Sequence, residues 1–352
     1  MESSQSSKNL SLKIGCYTPN SPYGLYDLDL DTQTGDLNAH KLNIQIPNPS
    51  YFDINQSQMY IISEVNSTEQ PQISQYSQQQ SLLTKVANLD ITGCSPCFIS
   101  VNSKYQLATT AQYGSGHIDV YQLDDSLVLK QHIQVIDSST IEESPRVSHA
   151  HQALILNHTK TLVSVDLGLD KVSFYPFNDI AQLFAIEQRQ EIQLSQGSGP
   201  RHLVFTHDEK IGVILCELSE QLVLIHQEDG KWQVNSEQRA FPNTLNGQAA
   251  GAIKLSPDER FVYLSGRRQN IISCFELDHQ SRVLNYQYSI DCGGDFPRDF
   301  AISPSGEWLV VVNQNSNNIV SFRRNNVDGT LAPTGHSTMV TMPVCVKFND
   351  LI

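Results

Sequence analysis

One short pattern recurs seven times along the chain, about every 49 residues. Each copy opens on a proline or a small residue and runs straight into a short apolar stretch. The copies begin at Pro49, Pro96, Ala150, Pro200, Ala250, Pro297 and Pro343, at intervals of 47, 54, 50, 50, 47 and 46 residues. Helical repeats would carry an apolar period of about 3.6 residues, which these stretches lack. Leucine-rich and β-helical repeats are shorter. A period in this range, built from strands, points to a β-propeller.

The rest of each copy supports that reading. A polar turn follows the first stretch, as in Ser256-Pro257-Asp258 and Ser303-Pro304-Ser305-Gly306. A second apolar run comes next: Met59–Val65, Tyr105–Ala111, Thr161–Leu167, Ile211–Glu217, Phe261–Arg267 and Trp308–Gln314. Third runs follow at His117–Leu123, Lys171–Phe177, Gln221–Gln227, Ile271–Leu277 and Asn318–Arg323, then a more polar fourth such as Asn285–Asp291. These runs are short, β-branched and bounded by Asn, Asp, Gly and Ser, which is strand and turn chemistry. The expected fold is all-β: a seven-bladed β-propeller of four-stranded blades. The seventh copy has only its first strand, Pro343–Phe348. Runs at Leu12–Thr18, Tyr23–Leu30 and Leu37–Ile46 would complete that blade and cover the edges of an open ring. Two separate β domains would need a linker, and none interrupts the period. The prediction is one domain over 1–352, with a frayed tail over about 1–10. The Gln-rich stretch 69–81 reads as a solvated outer strand and loop.

Charge and composition limit the partners. The formal net charge is −14, which argues against nucleic acid and anionic membranes, since both call for a basic face. No stretch approaches 18 apolar residues, so no membrane helix is expected. The segment Met1–Lys8 lacks the apolar core of a signal peptide, and the cytoplasm is the expected compartment. Seven cysteines, scattered mostly through strands, do not suggest a disulfide framework. Cys94-Ser-Pro-Cys97 has C-x-x-C spacing, but it stands alone, in a turn that elsewhere reads Gly-x-Pro. No His, Cys and carboxylate spacing forms a convincing metal set, so neither metal nor cofactor is expected. The expected partner is a small anionic substrate, bound by a monomer or a weak dimer.

In a propeller the first strands line a central channel, where ionisable residues are costly unless they bind something. Four places break the apolar expectation. His149 and His151, at i and i+2 of an extended chain, share a face. Arg201 and His202 hold the equivalent place one copy later. Glu217 ends the buried run Ile211–Cys216, and a carboxylate there is a candidate for a perturbed pKa. Arg267 matches Glu217 in repeat register and should face the channel, with Arg268 facing away. Arg298, in Phe296-Pro-Arg-Asp-Phe, is a further channel arginine. Each has a plainer reading: hydrogen-bonded channel histidines, an arginine–carboxylate pair as structural glue, or a strand end in solvent.

These residues also carry a family resemblance. Gly15-Cys-Tyr-Thr18, Gly24-Leu-Tyr26, Thr34-Gly-Asp-Leu37, Asn48-Pro-Ser-Tyr51, Ala111-Gln-Tyr-Gly-Ser-Gly116 and His149-Ala-His151 appear in that order. Asp166-Leu-Gly168, Gly199-Pro-Arg-His202, Glu217-Leu-Ser219, Phe296-Pro-Arg298 and Val312-Asn-Gln314 follow. The ordered set resembles the lactonase family of seven-bladed propellers, which includes cycloisomerase-type 6-phosphogluconolactonases and carboxy-cis,cis-muconate cyclases. The resemblance implies a metal-independent site in the channel mouth, with His149 or His151, Arg201, Glu217 and Arg267 as catalytic candidates. His202, Arg298 and Arg268 are candidates for substrate binding. Cys216, Gln112 and the Gly266-Arg267-Arg268 run depart from the family pattern and leave the substrate open. The implied reaction is hydrolysis of a sugar-acid lactone, 6-phosphoglucono-δ-lactone foremost. Arg201 and Arg267 would hold the phosphate and polarise the carbonyl, and Glu217 or a neutral histidine would take a proton from water. Cyclisation of a carboxylated muconate, or a non-catalytic binding propeller, are the alternatives.

Overall fold

The computed structural model describes residues 9–20, 23–79, 82–138 and 146–349. Seven antiparallel sheets follow one another around a ring. Their inner strands are Tyr51–Asn55, Pro96–Asn102, Ala150–Ile155, Pro200–Phe205, Ala250–Leu255, Pro297–Ile302 and Pro343–Phe348. We number the blades 1 to 7 in that order. Each inner strand packs against the next, and the seventh against the first. Blade 7 is closed as the sequence predicts: Pro343–Phe348 pairs with Leu10–Cys16, which continues into Leu25–Leu30 and Leu37–Lys41. Lys347 Nζ meets Asp53 Oδ1 at 2.6 Å, joining the last inner strand to the first.

The core lies between blades. The second strands Leu107–Gln112, Ile211–Cys216, Phe261–Gly266 and Trp308–Asn313 are buried at every residue. Both their faces are covered, hence their continuous apolar runs. The fourth strands, such as Lys231–Arg239, alternate towards solvent. Burying one Phe of the kind seen at Phe275 stabilises by about 1.5–3 kcal/mol.

Two expectations need adjusting. The first strand begins at Leu10, inside the anticipated tail; residues 1–8 lie outside the described residues. The Gln-rich stretch is the third strand of blade 1, Gln72–Gln79, not an outermost one. Within it Gln75 is fully buried, donating to Leu127 O and accepting from Leu129 N. A neighbouring loop's backbone needs those bonds, so this glutamine is structural. All seven cysteines are free, including Cys94 and Cys97.

Candidate active site

A β-bulge at the start of the inner strands builds the site. In blade 4, Pro200 pairs with Cys216 and His202 with Leu215, so Arg201 is an extra residue. The same shift leaves Cys97, His151, Arg298 and Val344 unpaired in blades 2, 3, 6 and 7, and includes Gly251 in blade 5. Ser50 takes the position in blade 1. A bulge breaks the alternation of faces and re-aims side chains. Arg201 and His202, adjacent in sequence, consequently line one small void together with Ser50, Cys97, Arg298 and Val344. A regular strand would send them to opposite faces.

A second ring surrounds the first. Just past the second strands stand Tyr17, Glu64, Tyr113, Leu167, Glu217, Arg267 and Gln314, one residue beyond the strand end except for Glu64, which is two beyond. Each donates its backbone N–H to the carbonyl two residues before the bulge: Met342, Asn48, Ser95, His149, Gly199, Ala249 and Phe296, at 2.6–3.1 Å. Five of those carbonyls belong to residues in the left-handed region: Asn48, Ser95, Gly199, Phe296 and Met342. For Phe296, at φ 67°, that conformation costs on the order of 1 kcal/mol or more. This repeated bond fixes the two rings relative to each other.

Glu217 is the centre of the charged cluster. Its Oε1 lies 2.7 Å from Arg267 Nη2, and its Oε2 lies 3.1 Å from Arg201 Nε. The Arg201 contact is an ion pair without hydrogen-bond alignment. Arg201 Nη1 donates to Gly251 O at 2.8 Å, and Arg267 Nε donates to Ala249 O at 3.1 Å. Burial, then the neighbouring Arg201, lowers the pKa of Arg267 to about 10, which still leaves it charged at neutral pH. Arg201, His202, His151 and Arg267 are each no more than 6% exposed. The Glu217 side chain keeps 19% of its surface open.

The histidines divide into two roles. Burial first, and then Arg201, holds both His151 and His202 well below the usual histidine range, so both rings are neutral. Arg201 Nη1 lies 3.3 Å from His202 Nδ1; it donates, which leaves the ring hydrogen on Nε2 without a partner. His151 Nδ1 is likewise buried and unpartnered. Their rings meet edge to face at 5.1 Å, and His202 abuts the stacked pair Tyr51 and Phe98. His149 and His151 both touch Tyr113, but only His151 joins the buried cluster. His149 precedes the bulge, stacks on Tyr113 at 4.5 Å and points Nδ1 to its carbonyl, 2.7 Å away.

Arg298 forms a separate unit. Its Nη2 donates to Tyr17 Oη at 2.7 Å, and that hydroxyl donates in turn to Glu64, 3.0 and 3.1 Å from the two oxygens. Burial opposes the Arg298 charge, but Tyr17, Glu64 and Glu217 outweigh it and raise its pKa. Arg268, by contrast, is exposed and stands apart from the buried cluster. It is one residue past the ring position, where the chain has turned outwards. Gln112 hydrogen-bonds Thr110 and Asp119 within its blade, and Cys216 sits in the core between blades. Neither departure from the family pattern reaches the channel cluster. Among the described residues, no three His, Cys, Asp or Glu side chains converge to hold a metal.

Sequence reasoning did not place Tyr17, Glu64, Tyr113 or Cys97 in the channel cluster. The signal was present: Cys97 is the second residue of its repeat, like Arg201. Tyr17, Glu64 and Tyr113 share the register that linked Glu217 to Arg267. A larger cavity of about 620 Å³ opens at the opposite mouth, lined by the far ends of the inner strands. There Lys254 and Lys347 pair with Asp299 and Asp53, cancelling their charges. Among the described residues no arginine lines the larger volume, and its His207 and Glu259 pair with each other at 2.8 Å.

Known proteins share this architecture along its length. A 6-phosphogluconolactonase of Bacillus subtilis is 30% identical over 342 residues, covering 95% of this chain and 97% of the relative. A crystal structure from Lactobacillus plantarum superposes with a TM-score of 0.88 at 27% identity, covering 97% of this chain and 100% of the other. One from Bacteroides fragilis gives 0.85 at 26%, covering 99% and 100%. Residues 11–348 match the family described as "Lactonase, 7-bladed beta-propeller", and the chain belongs to that family.

Proposed function

We propose that the protein hydrolyses a sugar-acid lactone, with 6-phosphoglucono-δ-lactone as its substrate. The observation that carries this reading is the grip of Arg201 and Arg267, from consecutive repeats, on the single carboxylate of Glu217. The name of the Bacillus subtilis relative favours the same substrate. With Arg298 the site holds three guanidinium groups against the carboxylates of Glu217 and Glu64; a third carboxylate, Asp299, is paired with Lys254, and the two buried histidines are neutral. That is an excess of one positive charge in a chain of net charge −14, which suits an anionic substrate.

Glu217 is the base in this reading. Protonating His151 or His202 would add a cation beside three others in a dry setting, which their lowered pKa values oppose. Glu217 keeps an open surface through which water can reach its oxygens. It takes a proton as that water attacks the lactone carbonyl. Negative charge develops on the carbonyl oxygen, and the Arg201 and Arg267 N–H groups are positioned to stabilise it. The acyl–oxygen bond then breaks, and the ring oxygen leaves as a hydroxyl, taking the proton back from Glu217. General base help of this kind contributes about 10²–10⁴-fold.

The test follows lactone decay by NMR for the wild type, Glu217→Gln and Arg201→Ala, each checked for folding by circular dichroism. Loss of at least a hundredfold in kcat for folded Glu217→Gln is the expected result. Wild-type rates in both variants would remove the mechanism. A carboxylated muconate assayed alongside separates cyclisation from hydrolysis.

A further inference from the structure

Arg201 and Arg267 share one carboxylate through direct ion pairs, whereas Arg298 is held differently. A phenol stands between it and Glu64: Tyr17 accepts from Arg298 Nη2 at 2.7 Å and gives its own hydrogen to Glu64. Burial, the largest influence on Tyr17, raises its pKa, so the hydroxyl stays protonated and Arg298 is oriented by a neutral group. Among the described residues, Tyr17 is the only hydrogen-bond partner of this guanidinium, and its remaining N–H groups are uncommitted. Arg298 also occupies the same bulge position as Arg201, with Gly251 at that position in the blade between them. Arg201 and Arg298 line one small void, so the two guanidiniums face a common space.

Resting on the lactonase reading, we propose that Arg298, positioned by Tyr17 and Glu64, is a specificity pole. It selects lactones that carry an anionic group, phosphate or carboxylate, away from the ring carbonyl. The reacting end of the substrate meets Glu217, Arg201 and Arg267, and the distant anion meets the free N–H groups of Arg298. A planar guanidinium with an oriented fork suits bidentate recognition of such an anion. Tyr17 and Glu64 act through Arg298 and are positioning residues. With the phenol as spacer, the arginine is aimed without being neutralised by a directly bound carboxylate.

Two measurements test this. In kinetics, 6-phosphoglucono-δ-lactone and unphosphorylated glucono-δ-lactone are compared for the wild type, Arg298→Met and Tyr17→Phe. Arg298→Met should raise KM for the phosphorylated lactone at least tenfold and leave the neutral one within threefold. Tyr17→Phe should raise the same KM by a smaller factor with kcat unchanged. By calorimetry, the wild type should bind 6-phosphogluconate at least tenfold more tightly than gluconate, and Arg298→Met should abolish the difference. Equal losses on both lactones, or equal wild-type affinity for both acids, would overturn the proposal. If the acids are discriminated through Arg298 but neither lactone is hydrolysed, the lactonase reading fails while the anion pole stands.

Discussion

Arg201 and Arg298 occupy the same bulged position, second in the inner strand, in blades 4 and 6, and Gly251 holds that position in blade 5 between them. The site is therefore a sevenfold scaffold in which the residue at one repeat position differs from blade to blade. Cys97, His151, Arg201, Arg298 and Val344 share one bulged geometry, with Gly251 in a wider bulge and Ser50 ahead of its strand, and the seven differ in chemistry. Its charge comes from neighbouring blades, and no single blade contains it.

Gly251 is the first place to test this scaffold. A Cβ there would come within 2.4 Å of Ser265 Oγ and 3.2 Å of Arg267 Cγ. Ser265 Oγ also accepts from Ala252 N, so it is not free to move. Gly251→Ala should displace Arg267 from Glu217 and lower kcat/KM at least tenfold, while costing roughly 1–3 kcal/mol of stability. Steady-state kinetics and a denaturant melt of the same sample check both. Unchanged kinetics would show that the Arg267 position is not critical.

Arg267 and Arg268 form an internal control. Arg267→Lys keeps a charge but loses the forked geometry that reaches both Glu217 and Ala249 O, and should reduce kcat/KM by tenfold to a hundredfold. Arg268→Ala, on the exposed side, should leave both kinetic constants within twofold. Measuring the pair on one substrate separates local geometry from general charge.

The period, the strand order and the closure of blade 7 were legible because proline or a small residue recurs where each inner strand begins. Turn chemistry and apolar runs then follow at fixed offsets. The convergence of Arg201, Glu217 and Arg267 was legible through repeat register alone. What alternation concealed was the bulge. Two-residue periodicity assigns Arg201 and His202 to opposite faces, yet both line one void. Arg298 and Asp299 do likewise. Tyr17 and Glu64 were hidden for another reason: they meet Arg298 across the ring closure, 281 residues apart in the case of Tyr17, and no local pattern links them.

The buried histidines make stability depend on acid. Both His151 and His202 have folded pKa values well below 6.5, because burial and then Arg201 disfavour the cation. Below pH 6.5 the unfolded chain takes up protons that the folded one refuses, so stability falls as pH falls. Each ring contributes up to about 1.4 kcal/mol per pH unit, until its folded pKa is reached. Denaturant melts at pH 7.5, 6.5 and 5.5 should show this decline, and His151→Asn should flatten it by about one ring's share. An unaltered slope in that variant would mean that His151 is not the titrating group.

Ring closure depends on the pairing of Pro343–Phe348 with Leu10–Cys16, and Asn349 N still donates to Ser11 O, 2.8 Å away, at its end. The two chain ends therefore lie side by side, antiparallel, like the arms of a hairpin. A circular permutant that joins residue 349 to Leu10 through a short Gly/Ser turn, and opens the chain between Lys41 and Pro49, should fold and retain lactonase activity. It keeps every blade pairing when the break falls at exposed Asn43, ahead of buried Ile46 and of Asn48, whose carbonyl holds the Glu64 N–H. Deleting residues 343–352 instead removes an inner strand and the lysine paired with Asp53, and uncovers Leu12 and Ile14. That chain should aggregate or melt without a cooperative transition. Solubility and thermal melts of the two proteins side by side decide whether the clasp holds the propeller together. A soluble, cooperative deletion variant would show that six blades close without it.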